Sequence, residues 1–180
     1  MLTRLPSYLR SLLLLGAVVA SGCRAAIPNR NPVGETFPTV AGESLDGTPL
    51  RLPADLLGAP AILLVGYVQD AQFDADRWLL GLAQSGTGAR VFEVPTIQGW
   101  VPRMIAGTID QGMRNGIPEE DWGSVVTVYA DADAIAELTG TENPRNIRVV
   151  VLDSQGTVRW FHDRGYSAGT LLRLLDELPD

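Results

Sequence analysis

The chain has 180 residues, of which 46% are hydrophobic and 19% are charged, and its formal net charge at pH 7 is −7. This composition is that of a folded globular protein, and the length suits one domain with a full core. The negative charge excludes nonspecific nucleic-acid binding, which needs a basic surface. It also gives little attraction to anionic lipid headgroups, so any membrane attachment must be hydrophobic or covalent.

The amino terminus carries the pattern of a secretory signal peptide. Arg4 and Arg10 precede a short apolar run at 12–20, and small residues follow it. The run is shorter than the ~20 residues of a spanning helix, which disfavours a permanent transmembrane helix. The sequence Ala20-Ser-Gly-Cys23 resembles a bacterial lipobox, with Ala20 in place of the usual Leu. Cleavage there would leave Cys23 as a lipidated first residue.

Cys23 is the only cysteine of the sequence, and it stands at the one position that lipoprotein processing requires. The alternative is a simple secretory signal with an incidental cysteine. The lipoprotein interpretation assigns 1–22 to a signal peptide with a lipobox, 23–33 to a lipidated tether and 34–180 to a folded domain. It predicts attachment to the lipid bilayer through Cys23, on the periplasmic or exterior side of a bacterial envelope. The mature domain would then contain no free thiol.

The folded domain begins with a predicted β-hairpin, because strand-forming residues at 37–40 and 49–52 flank the turn sequence Asp46-Gly47. Residues 61–68 form a near-continuous apolar run, typical of a strand buried on both faces. A helix is predicted from about Phe73, with Asp70 as its cap and Gly86 near its end. A second strand at 90–94 is closed by Pro95.

The second half of the chain continues the alternation of helices and strands. A helix is predicted around 102–113, because Ile105, Ile109 and Met113 recur at four-residue spacing. A strand at 125–129 and a short helix capped by Asp131 follow. The chain closes with strands at 147–152 and 157–161 and a final helix capped by Ser167.

This order, a hairpin followed by βαβαβα and then ββα, predicts a parallel core sheet with right-handed crossovers. The closing hairpin and helix add antiparallel strands. The pattern resembles a thioredoxin-like α/β sandwich, in which a central mixed sheet carries helices on both faces. The amino-terminal β-hairpin is similar to the one found in peroxiredoxins.

Thioredoxin-like folds keep their reactive cysteines in the loop between the first core strand and its helix. Here that loop contains Gln69, Asp70, Ala71 and Gln72. A disulfide oxidoreductase needs a pair of closely spaced cysteines, and a peroxidase needs a thiolate at the helix amino end. Copper delivery needs soft thiolates together with a histidine. The sequence therefore predicts a degenerate, redox-inactive loop, with no catalytic residue, no metal site and no cofactor.

Isolated polar residues admit simple explanations. His162 is explained as a surface histidine at a strand end, because no nucleophile lies at motif spacing. The aspartates at the start of the first helix are explained by capping and by the helix dipole. An alternative from another class stays open, namely a small-molecule-binding or hydrolytic enzyme with a cleft at the strand ends. Its candidate residues are Asp70, Glu93, Arg114 and His162.

A candidate interaction surface follows the second core strand and comprises Pro95, Trp100, Met113, Arg114 and Trp122. Pro95 stands at the carboxyl end of that strand, the edge at which open α/β sheets bind ligands. Exposed Trp and Arg are enriched in interface hot spots. The alternatives are an internal salt bridge for Arg114 and ordinary core positions for the tryptophans.

Six short segments recur in the same order in one protein family. They are Gly34-Glu-Thr-Phe-Pro38, Leu63-Leu-Val65, Glu93-Val-Pro95, Met113-Arg-Asn-Gly-Ile117, Val151-Leu-Asp153 and Val158-Arg-Trp160. From about Val33 to Leu178 the chain resembles the thioredoxin-like assembly factors of the mitochondrial F-type ATP synthase and their bacterial relatives.

This resemblance implies a domain that lacks redox cysteines and holds an unassembled membrane subunit. Pro95, Met113, Arg114 and the strand end Leu152-Asp153 would mark its characteristic surface. The prediction is therefore an assembly or interaction module for a membrane or envelope protein partner. A degenerate peroxiredoxin-like protein is the remaining alternative.

Overall fold

A computed structural model of the chain describes residues 25–178, so the predicted signal peptide and Cys23 lie outside the described residues. The strands are β1 Val40–Ser44, β2 Pro49–Leu52, β3 Ala61–Gly66, β4 Arg90–Pro95, β5 Val126–Thr127, β6 Arg148–Leu152 and β7 Val158–His162. The α-helices are α1 Gln72–Ser85, α2 Trp100–Met104, α3 Ala106–Arg114, α4 Ala132–Thr139 and α5 Ala168–Asp176. None of these helices has the length and apolarity needed to cross a membrane.

A mixed four-stranded sheet with the order β4-β3-β6-β7 forms the centre of the fold. The strands β3 and β4 are parallel and joined by α1, whereas β6 is antiparallel to both β3 and β7. Gly66 pairs with Pro95, and Val65 pairs with Arg148. The carboxyl ends of β3 and β4 therefore share one edge of the sheet with the amino end of β6. We call this edge the carboxyl edge.

Burial on both faces of the sheet explains why β3 is apolar throughout. Side chains alternate along a strand, so Leu64 packs with Trp78 of α1 and Leu174 of α5, while Leu63 packs with Ile135 of α4 on the other face. Each such side chain contributes about 1.5–3 kcal/mol when it is fully buried. The predicted mixed sheet with helices on both faces is confirmed.

The amino-terminal hairpin is also confirmed, since β1 and β2 pair antiparallel around a turn in which Gly47 has a φ of +89°. The strand predicted at 125–129 is shorter in the structure and pairs antiparallel with β1. Only two isolated parallel bridges, Glu93 to Val125 and Thr96 to Val128, join it to β4. A three-stranded sheet, β2-β1-β5, thus extends the central sheet beside β4.

The helix predicted around 102–113 is two helices in the structure. Ile105, with φ −115° and ψ 20°, separates α2 from α3. α3 is held by Asp110, whose buried carboxylate accepts a hydrogen bond from the Tyr129 hydroxyl at 2.7 Å. α2 contains no buried residue. Because α2 is not packed against the core, nothing holds it in line with α3.

Helix ends agree with the sequence in two places and differ in a third. Ser167 caps α5 by accepting a hydrogen bond from the Thr170 N–H at 3.1 Å, and Gly86 ends α1 with a φ of +67°. Asp131 stands at the start of α4, but its carboxylate accepts from the Ala41 N–H at 2.8 Å. It ties α4 to β1 instead of capping α4.

Candidate functional site at the carboxyl edge

The β3–α1 loop lies at the carboxyl edge. Gln69, Asp70 and Gln72 are exposed there, and Ala71 is buried in the core. Residues 69–71 form a single 3-10 turn that leads directly into α1, and neither helix has a side-chain cap at its start. The prediction that Asp70 caps α1 is therefore wrong. Its carboxylate instead lies 3.2 Å from Nε of Arg145, in an exposed ion pair.

Asp74 is the buried group behind this loop, with a relative exposure of 2%. Its Oδ2 accepts a hydrogen bond from the Ile147 N–H at 2.9 Å, and its Oδ1 accepts from the Tyr166 N–H at 2.8 Å. Nη2 of Arg77 lies 3.6 Å from the same carboxylate. Asp74 therefore ties α1 to the start of β6 and to the loop before α5, a role that goes beyond the predicted complement to the helix dipole.

A groove of about 410 Å³ opens beside the β3–α1 loop. Its lining residues are Asp70, Phe73, Asp74, Arg77, Arg145 and Asn146. Phe73 is 74% exposed, and Nε of Arg77 donates to the Phe73 carbonyl at 3.1 Å. A groove lined by an exposed aromatic ring and by guanidinium groups can bind an apolar side chain that lies next to a carboxylate.

Glu93 of β4 lies on the α1 side of the loop and accepts a hydrogen bond from Gln72 at 3.5 Å. Burial raises the pKa of the Glu93 carboxyl, and the carboxylates of Asp76 and Asp121 raise it further, while the Gln72 hydrogen bond opposes them. Across residues 25–178, no group of three His, Cys, Asp or Glu side chains could hold a metal ion.

The predicted interaction surface divides into two environments. Trp100 is 71% exposed on α2. Arg114 donates from Nε to the Leu45 carbonyl at 2.6 Å, and its guanidinium lies 5.9 Å from the ring centre of Trp122. Trp122 in turn donates to the Ile117 carbonyl at 3.0 Å. The half-buried members of the set are Pro95, Met113, Arg114 and Trp122. Arg114 and Trp122 thus hold α3 and the following loop against the hairpin.

The four residues of the enzymatic alternative do not converge. Asp70 pairs with Arg145, Glu93 bonds to Gln72, and Arg114 bonds to a backbone carbonyl. His162 is hydrogen bonded through Nε2 to the Gly165 carbonyl at 2.8 Å and stacks on Trp160. No hydrogen bond or ion pair within the described part of the chain joins two of the four. The geometry gives no acid–base pair and no nucleophile–base pair.

Arg148, the first residue of β6, is fully buried, a role that the sequence pattern does not predict. Its acceptors are the carbonyls of Glu142, Asn143 and Asn146 and Oδ1 of Asn29. Burial lowers the pKa of the Arg148 guanidinium, which lies 5.3 Å from the ring centre of Tyr67. The signal available in the sequence was a single Arg inside the apolar strand 147–152.

Tyr67 directly follows β3 and shares a hydrogen bond of 2.6 Å with the Thr139 hydroxyl. Burial raises the pKa of Tyr67 to about 12. The hydrogen bond to Thr139 and the nearby charge of Arg148 both act to lower this pKa, but burial has the larger effect. The ring therefore stays neutral at physiological pH. It presents its face to Arg148, an arrangement that favours a buried cation.

The segment predicted as a tether contacts the domain from Ile27 onward. The Ile27 N–H donates to the Thr141 hydroxyl at 2.9 Å, and the Thr141 N–H donates to the Ile27 carbonyl at 2.8 Å. Oδ1 of Asn29 accepts from Arg148 at 3.1 Å. Gly140 has a φ of +76°, and a Cβ there would lie 2.3 Å from Cα of Asn29. Contact with the domain thus begins before residue 34, at the carboxyl edge.

No protein-family model matches the sequence, and no curated protein matches it significantly. Solved structures do match. The pneumococcal exposed lipoprotein thioredoxin Etrx1 from Streptococcus pneumoniae is 14% identical, with a TM-score of 0.53 over 78% of this chain and 100% of that one. Yeast Sco1 with copper bound is 14% identical, with a TM-score of 0.55 over 82% of this chain and 92% of that one.

A thiol peroxidase from Chromobacterium violaceum is 12% identical, with a TM-score of 0.53 over 87% of this chain and 93% of that one. At these identities the likeness shows the fold alone. The three structures match between 78% and 87% of this chain. The chain therefore has a thioredoxin-like fold.

Proposed function

We propose that the chain is a lipid-anchored, redox-inactive thioredoxin-fold protein that binds a membrane or envelope protein as an assembly or interaction module. The observation that carries the proposal is the groove at the β3–α1 loop. Exposed Phe73 lines this groove together with Arg77 and Arg145. The only cysteine of the sequence is Cys23, so this loop cannot carry out thiol–disulfide exchange.

The groove suits a partner segment in which an apolar side chain lies next to a carboxylate. The pair between Asp70 and Arg145 is exposed, with 60% and 79% of the two side chains accessible. Such pairs contribute about 0–1 kcal/mol. Arg145 can therefore exchange Asp70 for a partner's carboxylate at little cost. Full burial of the Phe73 ring would add about 1.5–3 kcal/mol.

One structural comparison and one resemblance in sequence support this proposal. Etrx1 is an exposed lipoprotein thioredoxin, so a lipoprotein with this fold exists in Streptococcus pneumoniae. The resemblance to ATP synthase assembly factors supports an assembly role without redox chemistry. An unassembled subunit of a membrane complex is accordingly the partner that we propose.

Site-specific photocrosslinking tests the groove in the full chain. A benzophenone amino acid replaces Phe73 in one strain and Leu172 in a matched control strain. Leu172 is 62% exposed on α5 and does not line the groove. We expect a discrete adduct with a membrane or envelope protein from position 73 only. An absent adduct, or the same adducts from both positions, would refute the groove as the partner site.

The anchor has its own test. The Cys23→Ala variant should lose both membrane association and the incorporation of radiolabelled fatty acid. The reason is that lipidation requires the cysteine sulfur. A variant that stays in the membrane fraction and is processed at the same position would show that the lipobox interpretation is wrong.

A further inference from the structure

Exposed apolar side chains are concentrated on α2 and the residue that follows it. Trp100, Val101, Met104 and Ile105 are 71%, 50%, 74% and 50% exposed, and α2 has no buried residue. Trp100, Val101 and Met104 share one face of α2, and Ile105 directly follows the helix. We call these four residues the α2 patch. A contiguous exposed apolar patch marks a surface that another apolar phase covers.

The α2 patch lies at the carboxyl edge of the sheet. β4 ends at Pro95, which pairs with Gly66 at the end of β3. The Thr96 N–H still donates to the Gly66 carbonyl at 2.8 Å, and α2 begins four residues later. Val68, which follows β3 at the same edge, is 43% exposed.

The amino-terminal segment brings the predicted anchor to this same edge. Ile27 is hydrogen bonded to Thr141, in the loop that leads to Arg148 and the amino end of β6. Cys23 precedes Ile27 by four residues, a span that reaches at most ~14 Å when fully extended. A strand as long as β3 extends over ~20 Å. A lipid on Cys23 would therefore hold the carboxyl edge, and not the opposite edge, close to the bilayer.

The residues of α2 suit contact with a bilayer. Arg103, the one charged residue of α2, is exposed next to the α2 patch. A cation at this position can meet anionic headgroups. Trp side chains are favoured at the boundary between headgroups and acyl chains.

We propose that the α2 patch is a bilayer contact, seated at the headgroup–acyl boundary when Cys23 is lipidated. This proposal rests on the lipid anchor proposed above and adds the face that meets the membrane. The anchor and the α2 patch give two points of attachment, which fix the orientation of the domain. The groove at Phe73, which opens at the same edge, then faces a partner at the membrane surface.

The test uses full-length lipidated protein in vesicles of phosphatidylethanolamine and phosphatidylglycerol. Two variants, Met104→Cys and Leu57→Cys, each add one free thiol for an environment-sensitive fluorophore. Leu57 is 50% exposed and lies in the turn before the amino end of β3, at the opposite edge. Acyl chains that carry a nitroxide quencher should quench the label at 104 severalfold more than the label at 57.

Each other outcome overturns a specific statement. If the protein floats with the vesicles but neither label is quenched, or only the label at 57 is quenched, the bilayer contact is refuted and the anchor stands. If the protein does not float and Cys23 itself reacts with thiol reagents, the anchor fails and the proposed function fails with it. If the label at 104 is shielded only in native membranes and not in pure lipid, the α2 patch binds a protein, and the proposal is refuted.

Discussion

Replacing Asp74 tests whether one buried carboxylate holds the candidate site together. Its two oxygens accept from the backbone N–H groups of Ile147 and Tyr166 at 2.9 and 2.8 Å. A hydrogen bond to a charged group contributes ~1.5–3 kcal/mol. Asp74→Ala removes both bonds, so the free energy of unfolding should fall by roughly 3–6 kcal/mol. Asp74→Asn keeps one acceptor and should lose about half as much.

Urea unfolding followed by tryptophan fluorescence measures this loss, because fully buried Trp78 lies one turn further along α1. Asp76→Asn is the matched control on the same helix. Its carboxylate is exposed and accepts only from Gln72, at 2.9 Å, so its effect should stay within ~0.5 kcal/mol. The reasoning fails if Asp74→Asn is as stable as Asp76→Asn.

Two further substitutions test the surroundings of the site. Burial raises the pKa of Glu93 in the folded protein. Ionised Glu93 therefore destabilises the fold at pH values above this raised pKa, and the destabilisation is absent below the ordinary glutamate pKa of ~4.3. Glu93→Gln should stabilise the protein at pH 7 and have little effect near pH 4. An equal effect at both pH values in urea unfolding would contradict this. Gly140→Ala should displace the segment at Asn29 and accelerate trypsin cleavage at Arg30, whereas Gly107→Ala, with no atom within 4 Å of its Cβ, should leave the cleavage rate unchanged.

The fold was predictable because its elements depend on local patterns. The apolar run at 61–68, the Asp46-Gly47 turn and the Ser167 cap each act within a few residues, and the structure contains all three. The helix break at Ile105 was not predictable. Four-residue spacing indicates a helix but does not show whether the spaced side chains are buried.

The site was less predictable because its contacts join distant parts of the chain. Asp74 stands where a helix dipole favours an acid, yet its partners lie 73 and 92 residues further on. Arg114 and Trp122 have the composition of an interface, yet each donates a hydrogen bond to a carbonyl of the same chain. Residue type alone could not separate these internal roles from the exposure of Trp100.

Arg148 explains why the amino-terminal segment at Asn29 and the groove belong to one edge. Its Nη2 donates to Oδ1 of Asn29 and to the Glu142 carbonyl, and its Nη1 donates to the carbonyls of Asn143 and Asn146. Asn146 and its neighbour Arg145 also line the groove. A buried cation is stable only while its acceptors stay in place. The segment that leads to Cys23 and the loop that forms the groove therefore have to keep a fixed relative position. A rigid link of this kind would give the proposed lipid anchor control over the orientation of the proposed protein-binding groove, which a flexible linker could not provide.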